Sequence, residues 1–212
     1  MNSLLLELIK NYPLLNCQKE KIQKSLEVLI FAFENNKKLL ICGNGGSAAD
    51  AMHIVGELMK KFKINRKLSA ESIKALSKQT HGDLLVKELV PGLPSISLCS
   101  ETSLLTACCN DGDPSIIYAQ QVYNYGNQGD VLLAISTSGN SKNIVLAAEV
   151  AKAKSLKIIC LTGENENSQL ALLSDVGVFV PSRETYRIQE YHLPIYHYFC
   201  AALEEHFFGE NK

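Results

Sequence analysis

Apolar residues follow two alternating patterns along the chain: short, nearly unbroken runs, and longer stretches in which they return every three or four positions. The short runs are Lys38–Cys42, Ser95–Leu98, Asp130–Ile135, Lys157–Leu161 and Val176–Val180. A strand with one wet face would alternate apolar and polar residues. These do not, so they read as strands covered on both faces. The periodic stretches read as helices at about 2–35, 47–62, 103–109, 113–124, 140–153, 167–173 and 184–208. Strand and helix in alternation predict an α/β fold, a three-layer sandwich around a five-stranded parallel sheet of the flavodoxin or Rossmann kind. The expected organisation is one domain over 1–212, with an N-terminal helix (1–36) ahead of a core at 37–208.

Between Phe62 and Pro94 the pattern holds two amphipathic pieces and no strand, entered at the cap residue Ser69 and closed by Pro91-Gly92-Leu93-Pro94. This helical insertion, about 63–94, either packs over the active-site side or a subunit contact, or is an elaborated surface connection outside the chemistry.

Composition narrows the function classes. Of the 212 residues 46% are hydrophobic and 20% charged, and 21 Lys+Arg stand against 22 Asp+Glu for a net charge of −1. This excludes a largely disordered or collagen-like chain, and it lacks the basic excess that general adhesion to nucleic acid or an acidic membrane needs. No apolar run reaches the roughly 18–20 residues of a membrane span, and the N-terminal segment has neither a basic leader nor a sustained apolar stretch. The expectation is a soluble cytoplasmic protein with no membrane or nucleic-acid partner. Seven cysteines (Cys17, Cys42, Cys99, Cys108, Cys109, Cys160, Cys200) form no C-x-x-C and sit mostly in apolar runs, which reads as reduced, buried thiols.

Two polar loops follow predicted strands. After the first comes Gly43-Asn44-Gly45-Gly46-Ser47-Ala48 and then a helix, so glycine-freed backbone and a helix start could receive an anion or sugar oxygens. The same glycines could simply turn strand into helix. The match to a dinucleotide fingerprint, Gly43-x-Gly45-x-x-Ala48, is partial, and the acidic ribose ligand is missing where Phe62-Lys63-Ile64-Asn65-Arg66 stands, which ranks nicotinamide binding last. After the third strand, Ser136-Thr137-Ser138-Gly139-Asn140-Ser141 offers four hydroxyls at a helix start, a phosphate cradle of neutral donors without a Walker lysine. Capping by Asn140 or Ser141 accounts for one or two of these residues, not for six. In a parallel sheet both loops gather at the carboxyl ends of the strands.

Ionisable candidates sit on two helices. His53 and Glu57 are four residues apart, about 40° around one helix face, where they could share a proton or a metal, or form a surface hydrogen-bonded pair. Gln189, Glu190, His192 and His197 lie on the last helix, and a kink at Pro194 would let Gln189 and His197 face one cleft.

The ordered set G-N-G-G-S-A-A-D-A-M-H-I-V-G-E-L (43–58), N-D (110–111), G-D-V-L-L-A-I-S-T-S-G-N-S-K-N (129–143), L-T-G (161–163) and R-I-Q-E-x-H-x-x-x-x-H (187–197) resembles the sugar-isomerase (SIS) domain in its phosphoheptose isomerase branch, over about residues 38–205. The resemblance implies a doubly wound sandwich, a homotetramer with active sites between subunits, and aldose–ketose isomerisation of sedoheptulose 7-phosphate to D-glycero-D-manno-heptose 7-phosphate. Carried over by position, Asn44, Gly45, Gly46 and Ser47 would meet the sugar together with Glu57 and Gln189. Ser136, Thr137, Ser138 and Ser141 would hold the phosphate, and Asn110 and Asp111 the sugar hydroxyls. His53, Glu57, Gln189 and His197 match the metal set, one zinc per subunit in members that bind it, and Glu57 and His197 match the acid/base pair. An enediol reaction needs one group for the carbon-bound proton, one for the oxygens and a stabiliser for the oxyanion, and these residues can supply them. Three features depart from the family: Thr185-Tyr186 where Ala-Asp is usual, Lys61 in place of arginine, and the longer connection at 63–94. Tyr186 and the insertion keep open a second reading, a non-catalytic SIS protein that senses a sugar phosphate or acts as an oligomeric adaptor of the replication-initiator-associating type.

Overall fold

In the computed structural model, which describes residues 3–209, the N-terminal helical stretch divides at Tyr12. The expected helix start at residue 2 and the extreme ends of the 1–212 span lie outside the described residues. Helix α1 (Ser3–Asn11) stops, a 3-10 turn spans Pro13–Gln18, and α2 runs over Lys19–Glu34. The predicted single helix breaks because the residue before a proline is pushed out of the helical region: Tyr12 has φ −129° and ψ 72°.

The five predicted strands all form: β1 (Leu39–Cys42), β2 (Ser95–Ser97), β3 (Val131–Ile135), β4 (Lys157–Thr162) and β5 (Val176–Phe179). They pair in parallel in the order β2-β1-β3-β4-β5. Between them lie α3 (Gly46–Met59), α4 (Ala70–Leu76), α5 (Gly82–Glu88), α6 (Thr102–Asp111), α7 (Ile117–Tyr125), α8 (Lys142–Ala153) and α9 (Gln169–Leu173), and α10 (Thr185–Phe208) follows β5. The insertion is the pair α4 and α5, with Ser69 capping the first through its hydroxyl to the Ser72 N–H.

Successive strand residues point to opposite faces, and each face has its own core. Leu39, Ile41, Leu133, Ile159 and Leu161 pack under α1, α2, α3 and α10. Leu40, Cys42, Leu132, Ile158 and Cys160 pack under α7, α8 and α9. Strand order reverses between β1 and β3, the position where open α/β sheets leave a crevice at the strands' carboxyl ends.

Three expectations need correction. Helix α3 ends at Met59 rather than 62 because the N–H groups of Phe62, Lys63 and Ile64 turn to the buried Glu204 carboxylate, at 2.8, 2.6 and 3.1 Å. Helix α10 continues through Pro194 as one element of 24 residues, so the proline does not interrupt it. All seven cysteines are free, but only Cys42, Cys160 and Cys200 are buried. Cys17 on the 3-10 turn and Cys109 on α6 face outward. Among the described residues no helix is long and apolar enough to cross a membrane.

Candidate active site

The two polar loops meet at the β1/β3 switch point. Asn44 after β1 and Asn143 at the start of α8 exchange reciprocal amide hydrogen bonds of 2.9 Å, tying the loops together. Gly45 takes φ +56°, a left-handed conformation that glycine adopts at no steric cost, and this turns the chain into α3. Gly139, at φ +66°, does the same ahead of α8. The hydroxyl loop is not used up in capping: Ser141 is the cap residue of α8, yet its side chain makes no cap hydrogen bond. It accepts instead from the Ser136 hydroxyl at 3.2 Å. Asn140 is structural, since its side-chain oxygen receives the Gln169 N–H at 3.0 Å and so anchors α9. Thr137 and Ser138 form part of the wall of an open cavity of about 660 Å³, completed by Gly163, Glu164, Arg183 and Ile188.

Helices α3 and α10 pack side by side, and their facing residues form the ionisable cluster. His53 Nε2 stands 3.3 Å from Glu57 Oε1, and the other Glu57 oxygen accepts from Lys60 at 2.9 Å. The His53 and His197 rings meet edge-on with centroids 5.1 Å apart. Burial and the neighbouring His53 hold the His197 imidazole below its ordinary pKa, against an opposite pull from Glu57, which favours the neutral form. The buried Tyr196 joins the cluster: its hydroxyl lies 3.1 Å from His53 Nδ1 and donates to Asp50 Oδ1 at 3.1 Å. Burial lifts the Asp50 carboxyl above the usual carboxylate value, opposed by that hydrogen bond and by His53.

Gln189 stands apart from the other three expected metal ligands. A methyl built on Gly46 would meet the Gln189 amide atoms at 2.7–2.9 Å, so this amide lies against the first turn of α3, about 10 Å of helical rise before His53. Among the described residues no group of three or more His, Cys, Asp or Glu side chains is set to hold a metal ion. The chemistry of the donors nevertheless suits zinc: two imidazoles and a carboxylate stand together, with His53 Nε2 and Glu57 Oε1 facing each other at 3.3 Å.

Asn110 and Asp111, at the end of α6, are exposed and bonded to each other at 2.8 Å; no described hydrogen bond links them to either loop. Lys61 is exposed. Tyr186 is 56% exposed and its ring lies 5.2 Å from the Arg187 guanidinium, so the phenol that replaces the family's carboxylate turns outward rather than into the cluster.

His192 faces the core. It is fully buried, its Nε2 points to the Thr162 carbonyl at 3.4 Å, and its Nδ1 has no partner. Burial drops its pKa to about 4, so the folded protein keeps it neutral. The unfolded chain takes up this proton below about pH 6.5 and the folded chain only near pH 4, so the contribution of His192 to stability is complete above pH 6.5 and falls by about 3 kcal/mol on acidification towards pH 4. In urea unfolding followed from pH 7 to pH 4.5, His192→Leu is expected to flatten that slope; an unchanged slope would contradict a neutral His192.

Sequence reasoning missed Tyr196, Asp50 and the buried Arg66. A tyrosine beside a histidine on an apolar helix face reads as core, and nothing local says that its hydroxyl reaches α3.

The SIS domain family profile matches residues 12–86 and 84–163. The phosphoheptose isomerase of Helicobacter pylori (strain P12) is 40% identical over 193 residues, covering 91% of this chain and 88% of that protein. The solved phosphoheptose isomerase from Francisella tularensis is similar with a TM-score of 0.75 and 30% identity, over 97% of this chain and 100% of that one. The corresponding structure from Neisseria gonorrhoeae gives a TM-score of 0.70 and 33% identity, over 87% and 86%.

Proposed function

Since this chain belongs to the SIS-domain family, in its phosphoheptose isomerase branch, we propose that it interconverts sedoheptulose 7-phosphate and D-glycero-D-manno-heptose 7-phosphate through an enediol. The observation that carries the reading is the gathering of His53, Glu57 and His197 between α3 and α10, on the helix that leaves the first glycine loop. A protein that only binds a sugar phosphate needs the loops but not this cluster, and the outward Tyr186 does not block it.

The phosphate binds the hydroxyl loop, where Ser136, Thr137, Ser138 and Ser141 offer neutral donors beside the N-terminus of α8. Asn44, Gly45, Gly46, Ser47 and Gln189 border the sugar, and Asn110 and Asp111 are assigned to its outer hydroxyls. From the ketose, a base removes a proton from C1 and the enediol is reprotonated at C2, while a second group moves the proton between O1 and O2. Glu57 and His197 are assigned these two tasks. Which of them takes which proton is left open, since either residue can move a proton only while it is released from zinc. His53, Glu57 and His197 would hold zinc, while Gln189, against Gly46, stays with the sugar. When bound, zinc supplies positive charge for the enediolate oxygens.

We further read the protein as a cytoplasmic homotetramer. Met52 and Met59, 46% and 50% exposed on α3 beside His53 and Glu57, are apolar surface that a second subunit would cover. Light scattering on the purified protein is expected to give four chains; a monomer would contradict this.

The test of the reaction is conversion of sedoheptulose 7-phosphate by purified, zinc-supplied protein, followed by NMR beside five- and six-carbon sugar phosphates. Conversion of the seven-carbon ketose is expected, and turnover of none of the panel would overturn the reading. Gly46→Ala is expected to keep the fold, displace Gln189 and raise KM about 5–10-fold, the worth of about one hydrogen bond. An unchanged KM would remove Gln189 from the sugar site.

A further inference from the structure

Tyr196 has one proton and two partners. Its hydroxyl lies 3.1 Å from Asp50 Oδ1 and 3.1 Å from His53 Nδ1. A carboxylate only accepts, so the tyrosine proton goes to Asp50 and the tyrosine oxygen must accept from His53. We propose that Tyr196, held by Asp50, is a positioning residue that locks His53 in the Nδ1–H tautomer and turns the Nε2 lone pair towards Glu57.

The consequence lies in the 3.3 Å gap between His53 Nε2 and Glu57 Oε1. With the ring proton on Nδ1, both atoms facing that gap are acceptors, and they attract a proton or a cation rather than each other. With the proton on Nε2, His53 would donate to Glu57 and the pair would satisfy itself, with no lone pair left for a ligand. The Tyr196 hydroxyl therefore prevents the cluster from closing on itself. The arrangement is well held: Tyr196 is 1% exposed, and its ring packs edge-on against both His53 and His197, with centroids 5.5 and 5.0 Å away. Asp50 Oδ2 is buried without a partner, so Tyr196 is the hydrogen-bond donor to this carboxylate among the described residues. The purpose of the lock, an open ligand nitrogen, rests on the proposed zinc-supported isomerase site; its geometry does not.

The test uses full-length protein with ¹⁵N-labelled histidine, at a pH where the nitrogen shifts show the His53 ring to be neutral. Long-range proton–nitrogen correlation spectra are expected to place the wild-type proton on Nδ1 and to show it moving to Nε2 in Tyr196→Phe, which keeps the packed ring. Asp50→Asn, which leaves Tyr196 untouched, is expected to weaken the Nδ1 preference and serves where Tyr196→Phe fails to fold. A chelator competition titration is expected to show zinc bound about 10–100-fold more weakly by Tyr196→Phe, the usual loss on removing a group that orients a ligand histidine. A wild-type ring with its proton on Nε2 would overturn the proposal, as would a tautomer unchanged in both variants. A wild type that binds no zinc yet shows the Nδ1–H form would overturn the zinc reading and leave the lock standing.

Discussion

Glu57→Gln is expected to lower kcat by about 10²–10⁴-fold, the usual worth of a positioned proton-transfer group, with the fold unchanged. The side chain is mostly enclosed, with 13% of its surface exposed, and one oxygen faces His53 while the other accepts from Lys60. Glutamine fills the same volume but cannot take up a proton. The interaction with the exposed Lys60 is worth at most about 1 kcal/mol, so its loss does not unfold the helix. The effect should fall on kcat more than on KM, since the phosphate and most of the sugar are held elsewhere. Steady-state kinetics beside a thermal melt measure both, and wild-type kcat in the variant would remove Glu57 from the proton path.

The second large effect concerns stability. Glu204, on α10 and 1% exposed, accepts from the N–H groups of Phe62, Lys63 and Ile64 and from Arg66 Nε at 2.8 Å. Arg66, equally enclosed, donates onward to the carbonyls of Leu58 at 2.7 Å and Glu57 at 2.9 Å, and its guanidinium lies 4.8 Å from the Phe208 ring centre. One ion pair thus ends α3, starts the insertion and fixes both to α10. Glu204→Gln leaves Arg66 without its counter-charge and sets an amide NH₂ among backbone donors, and is expected to cost about 3–5 kcal/mol in urea unfolding. Replacing both residues by apolar ones should recover less than in a simple buried pair, because three backbone N–H groups would remain unsatisfied. Burial alone would raise the Glu204 pKa, but the backbone N–H groups of Phe62 and Lys63, then Arg66 and Ile64, outweigh it and hold it below the ordinary glutamate value of about 4.5. The stabilisation is therefore complete above about pH 4.5 and is lost as pH falls through the lower folded value, so the cost of Glu204→Gln should shrink in acid. A cost under about 1 kcal/mol at pH 7 would contradict the network.

Strands and loops were legible because their signals are local. Five apolar runs can only be buried strands, and the glycine and hydroxyl loops follow two of them directly. The helix break at Tyr12–Pro13 was also written locally, in Pro13, but the surrounding apolar periodicity masked it. What could not be read depends on contacts across the chain. Arg66 and Glu204 are 138 residues apart, and each alone looks like surface charge. Tyr196 and His53 are 143 apart, and only the packing of α3 beside α10 lets a core tyrosine act on a site histidine. His192, on the same helix as Gln189 and His197, is a core residue: its face of α10 turns it to Thr162. Of the four expected metal ligands, His53, Glu57 and His197 come together, while the Gln189 amide lies beside Gly46.

Proton transfer through an enediol is assigned to the α3–α10 cluster. It is tested most directly by running the reaction in D₂O with sedoheptulose 7-phosphate and locating deuterium in the aldose product by NMR. Solvent deuterium is expected at C2 with wild-type protein, and its loss is expected in Glu57→Gln. An aldose formed without deuterium at C2, or exchange at the wild-type rate in Glu57→Gln, would contradict it.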